Sequence, residues 1–261
     1  MKPALDNGYY LIICHEEAEE CGISVLMADR NCWVRNGLCL YEVAQDEEDL
    51  CRTVAMRTGL HGCRYLDRFF VLTSLINAKM RQYTYDRFFT MIARQYDELI
   101  EIDRNRQNIL NLLNYLAGAI HASGASIVDY GCGTGLSVDV MRTDGLSRFQ
   151  VHGVDRCPKM RQIAADRGMQ VWSPGDLARQ EKGSIGGAFA SYVFHLLPDV
   201  HGVRLLWSRL SPGAILVANF HKNKGIEMIN ACLEPTALDV RIVIGMDGDQ
   251  WHGTYVAYVK K

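Results

Sequence analysis

Several features that would mark a specialised protein are missing from this sequence. No apolar run approaches the roughly 18 residues needed to span a bilayer, and the longest, Tyr9–Cys14 and Ala214–Phe220, have only strand length. The opening MKPALDNGYY has no apolar core of a secretory signal. Charge is nearly balanced, with 28 basic against 30 acidic residues and a net charge of -2. That balance argues against affinity built on an electrostatic grip on nucleic acid. No C-x-x-C pair occurs among the nine cysteines. Six of them fall before residue 64 (Cys14, Cys21, Cys32, Cys39, Cys51 and Cys63), with gaps too long for the short loops that preorganise zinc. No metal site is expected. The cysteines are read as reduced thiols in a cytoplasmic protein.

What is present is ordinary globular composition. Of 261 residues, 48% are apolar and 22% charged, enough for a substantial core without staples. The first third alternates short apolar runs with turn signals. Tyr9–Cys14, Ile23–Ala28 and Leu38–Val43 read as strands, and Glu47–Met56 as a helix stopping near Gly59. This predicts a small α+β domain over residues 1–75, with a role in shaping an acceptor pocket or a homodimer interface. The acidic run Glu16–Glu20, broken by Ala18, reads as a solvated helix face. A helical connector and cofactor lid is expected over 76–122. In it Ile109, Leu112, Leu113, Leu116 and Ile120 mark one buried face, with Asn108, Asn111 and Asn114 off that stripe. Tyr83, Tyr85, Phe88 and Phe89 read as core in preference to a substrate lid.

From 123 to 261 strand-like and helical segments alternate, which implies a doubly wound, mostly parallel sheet with both faces covered. Its informative stretch is SIVDYGCGTGLSVDVM, residues 126–141. A strand delivers Asp129, then Gly131, Gly133 and Gly135 alternate with Cys132 and Thr134, and a helix begins. Glycine belongs where backbone must turn sharply and approach a ligand without a Cβ in the way. The first N–H groups of the helix then offer donors and partial positive charge. Asp155 ends the next strand, 20 residues past Gly135, where a carboxylate can accept from both hydroxyls of a ribose. A dinucleotide fingerprint would need a small residue at 136, which is Leu136. The expected ligand is an adenosyl group without a diphosphate, and a nicotinamide-dependent oxidoreductase is disfavoured.

The segment VDYGCGTG (Val128–Gly135) resembles the first motif of class I S-adenosylmethionine-dependent methyltransferases. GVDRCPKM (Gly153–Met160), SPGDL (Ser173–Leu177), SYVFHLLPDV (Ser191–Val200) and LSPGAILVANF (Leu210–Phe220) follow that family's motif order. ARQYDELI (Ala93–Ile100) is similar to the helix preceding its core. The resemblance implies a Rossmann-like α/β fold with S-adenosyl-L-methionine as cofactor. Asp129 and the backbone of Gly131 and Gly133 would hold its methionine end, Asp155 with Arg156 the ribose, Asp176 and Leu177 the adenine, Tyr96 would close over it, and Cys132 and Ser191 would also line the cofactor site. Where the family's fourth motif often begins with an acid this chain has Gly187–Ala188, so no catalytic carboxylate is expected from that strand.

Methyl transfer from a sulfonium is an in-line displacement that needs alignment and exclusion of water, plus a base where the nucleophile is protonated. His195 and His221, each following a strand end, are the candidate bases. Each has an ordinary alternative, as a packing residue or a solvated loop residue. Cys132 is read as a small residue fitting a tight turn. The sequence therefore predicts a methyltransferase acting on a small-molecule acceptor. A noncatalytic S-adenosylmethionine-binding subunit is the alternative.

Overall fold

The structure, a computed structural model, describes residues 8–66, 68–74, 76–120, 126–143, 149–194, 199–220, 223–233, 237–243 and 253–261. The chain folds as two compact units, Met1–Gln95 and Tyr96–Lys261. Of the stretch 76–122, residues up to Gln95 belong to the first unit and Tyr96 onward to the second.

The first unit is a five-stranded sheet ordered β2-β3-β1-β5-β4. The strands are β1 (Tyr9–Cys14), β2 (Cys32–Arg35), β3 (Leu38–Val43), β4 (His61–Tyr65) and β5 (Phe69–Thr73). Central β1 is apolar throughout because both faces are covered. Leu11 and Ile13 join the cluster formed with α1 (His15–Glu20), α2 (Ile23–Leu26) and α3 (Glu48–Thr58). Tyr10 stacks on Phe69, which meets Phe88 of α4 (Ala78–Ile92). β2 and β3 are joined by Asn36–Gly37, both at positive φ (58° and 79°), as a two-residue I′ turn requires. Phe88 is fully buried and Tyr85 nearly so, so this aromatic cluster is core.

Two sequence expectations fail in this unit. Ile23–Ala28 forms no strand. Gly22, at φ 65°, turns the chain into the short helix α2, which buries Ile23 and leaves Val25 exposed. Helical spacing and strand alternation cannot be told apart over so short an apolar run. The acidic run is also not uniformly solvated. Glu17 is buried and accepts a hydrogen bond from the Ser74 N–H at 3.1 Å.

The second unit opens with α5 (Tyr96–Leu99) and α6 (Ile102–Ala119). β6 (Ser126–Tyr130), α7 (Leu136–Thr143), β7 (Gln150–Val154), α8 (Pro158–Asp166), β8 (Gln170–Trp172), α9 (Pro174–Arg179) and β9 (Ile185–Ala190) follow. The unit ends with α10 (Val200–Arg209), β10 (Leu210–Phe220), α11 (Asn223–Leu233), β11 (Ala237–Val243) and β12 (Thr254–Lys260). Its seven strands run β11-β12-β10-β9-β6-β7-β8. β12 is antiparallel to both neighbours, and β8, β7, β6, β9 and β10 pair in parallel. α6 and α7 cover one face of the sheet. α9, α10 and α11 pack against the other. This is the doubly wound α/β sheet expected. Strand order reverses between β6 and β9, and at such a switch point a crevice opens beyond the carboxyl ends.

Asn108 and Asn111, expected off the buried stripe of α6, are both buried. Asn108 donates to the Tyr192 hydroxyl and accepts from that of Tyr255. Among the described residues no helix is long and apolar enough to cross a membrane, and no His/Cys/Asp/Glu group could hold a metal. None of the nine cysteines forms a disulfide.

Burial raises the carboxyl pKa of Glu17. The folded chain then holds this proton to higher pH than the unfolded chain does. Its stabilising contribution is complete below the ordinary carboxylate pKa and lost as pH rises through the folded value. Glu17→Gln, which keeps an acceptor for Ser74, is expected to melt above the wild type at pH 8. Thermal melts across pH should show that margin vanish towards pH 4.

Candidate cofactor site

The loop after β6 is held by the strand beside it. The N–H groups of Gly131 and Cys132 both donate to the Val154 carbonyl, at 2.6 and 3.1 Å, and that of Gly133 to Asp155 Oδ2 at 3.0 Å. Gly131, Gly133 and Gly135 all have positive φ (78°, 53° and 80°), a region costing other residues about 1–2 kcal/mol. A Cβ at Gly131 would collide with Val193, and one at Gly135 would lie 2.9 Å from the Ala164 Cβ of α8. At Gly133 the nearest atom would be Tyr96 Cε1, at 3.9 Å. Two of the glycines thus serve close packing, and the third keeps a space open beneath an aromatic ring.

Asp155 stands at the edge of that space. Its Oδ1 accepts from the Cys157 N–H at 2.8 Å, so backbone donors fix both oxygens. The Tyr96 hydroxyl has its pKa pushed up to about 12, mainly by burial and then by Asp155 and Asp97. It is therefore a phenol that keeps its proton. Asp129 is buried at the end of β6 and accepts from the Ser137 hydroxyl at 2.6 Å. Burial lifts its carboxyl pKa to about 7. Cys132 is buried with its Sγ against Gly153, where an added Cβ would come within 2.7 Å, so it contributes backbone to the loop and packing to the core.

The remaining expected residues stand as follows. Ser191 follows β9, and its hydroxyl oxygen is buried with no partner among the described residues. Arg156 reaches away to Asp199, the N-cap of α10, at 3.2 Å. Asp176 is committed to a capping box, its Oδ2 accepting from the Ser173 N–H and hydroxyl, both at 2.7 Å, while it also pairs with Arg179. The Leu177 N–H is used within α9, on the Ser173 carbonyl at 3.0 Å. His195 and His221 lie outside the described residues.

Asp97 is a residue that sequence reasoning missed. Its Oδ1 accepts from the Thr134 hydroxyl at 2.6 Å and its other oxygen pairs with Arg167, which also approaches Asp139 at 3.6 Å. Asp97 thereby ties the short helix carrying Tyr96 to the glycine loop. The only signal was an acid next to that tyrosine, which reads equally well as a first-turn helix charge.

The comparisons agree with this fold. A family model described as a methyltransferase domain matches residues 100–240. The chain belongs to the class I S-adenosylmethionine-dependent methyltransferases. A Methanococcus maripaludis protein, provisionally described as such a methyltransferase, is similar in fold, with 15% identity and a TM-score of 0.52. The match covers 66% of this chain and 93% of that one. A Leishmania major methyltransferase that depends on the same cofactor is similar at 13% identity, covering 72% and 87%, with a TM-score of 0.51. Among curated protein sequences none matches.

S-adenosyl-L-methionine is the cofactor of this family. The chain's residues fit it, since Gly133 leaves a cradle that a Cβ would fill, beside the fixed Asp155 carboxylate. Gly135→Ala is expected to cost about 2 kcal/mol or more through strain and the clash with α8. Gly133→Ala should cost about 1–2 kcal/mol, strain alone, yet abolish most S-adenosylhomocysteine binding. Chemical denaturation alongside calorimetry separates the two. Equal losses of affinity per kcal/mol of stability would remove the distinction between packing and ligand glycines.

Proposed function

We propose that the second unit is an active methyltransferase whose acceptor is a small molecule. The observation that carries this is Gly133 at positive φ, with open space between its backbone and the Tyr96 ring and the fixed Asp155 carboxylate beside it. The near-neutral net charge supports a small-molecule acceptor over a nucleic acid. In this reading the Asp155 carboxylate takes the ribose hydroxyls. Asp129 takes the ammonium of the methionine end.

When bound, the cofactor supplies an electrophilic methyl group on a sulfonium whose positive charge is lost on transfer. The loop amides hold the nucleoside, and Tyr96, kept over the loop through Asp97, shields it from water. No oxyanion needs stabilising, so a site of neutral donors and buried carboxyls suits the chemistry.

Calorimetry with S-adenosylmethionine, S-adenosylhomocysteine and NAD tests the binding half. Transfer of labelled methyl to small-molecule, RNA and protein fractions tests the rest. Binding of the adenosyl compounds with label entering the small-molecule fraction is expected. Tight binding without transfer to any fraction would mark a noncatalytic subunit, and preference for NAD would overturn the reading altogether.

A pH dependence follows from Asp129. A cation beside a carboxyl of pKa about 7 favours its ionised form, so binding below pH 7 releases a proton. S-adenosylhomocysteine affinity is expected to rise about tenfold between pH 6 and 8. In Asp129→Asn the affinity should be lower and flat across this range.

A further inference from the structure

Two buried polar atoms near the glycine loop have no hydrogen-bond partner among the described residues. Asn219, 1% exposed, accepts the Tyr192 N–H on Oδ1 at 2.7 Å, which fixes the orientation of its amide. Among the described residues its Nδ2 finds no partner, nor does Ser191 Oγ. An unsatisfied buried donor is costly, so both require explanation. The segment between them is built with effort. Tyr192 has φ 58°, unusual for a bulky residue. It is held there by Asn219 at its N–H and by Asn108 at its hydroxyl.

Strand register shows what these groups can face. Ile127, Phe189 and Val217 pack in one cluster on the α6 side of the sheet. Side chains two residues apart share a face, so Asp129 on β6 and Asn219 on β10 lie on that side too. β9 runs between those strands, and Ser191 follows directly on its end. Asp129 is level with Phe189 and Val217, so Asn219 lies two strands and two residues away, about 12 Å, and Ser191 one strand and two residues away, about 8 Å. An α-amino acid group with a charge-assisted hydrogen bond at each end spans about 9 Å. The order across the strands is carboxyl, hydroxyl, amide donor, which complements an ammonium at one end and a carboxylate at the other.

We propose that Asn219 Nδ2 and Ser191 Oγ bind the carboxylate of the cofactor's amino-acid end, opposite Asp129. This rests on the reading of the second unit as an S-adenosylmethionine site and adds the residues that select the intact amino acid. The family resemblance assigns Asn219 no role. Here it acts twice, holding Tyr192 with one end of its amide and the ligand with the other.

The test compares S-adenosylhomocysteine with 5′-methylthioadenosine, which keeps the nucleoside and sulfur but lacks the amino-acid end. Ser191→Ala breaks no hydrogen bond of the fold. Asn219→Asp keeps the acceptor for Tyr192 and removes the donor. By calorimetry at pH 8 the full-length Ser191→Ala variant should bind S-adenosylhomocysteine about threefold to tenfold more weakly, and Asn219→Asp about tenfold or more. Both should bind 5′-methylthioadenosine within about twofold of wild type, since no contact to it is lost. Unchanged S-adenosylhomocysteine affinity, or an equal loss for both compounds, would overturn the proposal. Failure of the wild-type protein to bind either compound would instead defeat the underlying cofactor reading.

Discussion

Everything at the site depends on three backbone amides held by the carboxyl end of the neighbouring strand. Gly131 and Cys132 share the Val154 carbonyl, and Gly133 donates to the Asp155 side chain. Because the same strand end supplies both the anchor and the expected ribose acceptor, loop and carboxylate cannot move independently. The positive φ of the three glycines is the local expression of that attachment. A chain that must reach back to β7 and then enter α7 has little room for ordinary backbone angles. Site geometry is therefore inherited from parallel strand pairing, which the buried cores on both faces enforce.

The cofactor half was legible in the sequence because its signals are local. Glycines at fixed spacing, an acid before them and another at the next strand end each reflect one strand–turn–helix unit, and all appear where expected. The alternation of apolar segments in the second unit was equally readable, since its inner strands β6, β9 and β10 are largely buried. Other features rest on contacts between distant segments. Asn108 looks like a surface residue of α6 until Tyr192 and Tyr255 are brought to it across the sheet. Asp97 acquires meaning only through Thr134, 37 residues away. Glu17 in an acidic run gives no hint that Ser74 will bury it.

The first unit was less legible for a different reason. Its strands β2, β4 and β5 are short, and β4 mixes His61, Gly62, Cys63 and Arg64 without clean alternation. Such segments become strands by pairing with β3 and β5 more than by their own pattern. Of the six cysteines concentrated here, Cys14, Cys39 and Cys51 are buried among apolar neighbours, Cys21 and Cys63 are half-buried and Cys32 is exposed.

The contact between Gly135 and Ala164 has a consequence for how this protein can evolve. The glycine backbone and the alanine methyl meet so closely that neither position can grow alone. A larger side chain on α8 would push the helix from the sheet and drag the Asp155 strand end with it. The two positions should drift as a matched pair across descendants of this chain. Combinatorial libraries that randomise either one singly should return almost nothing but the small residues already there.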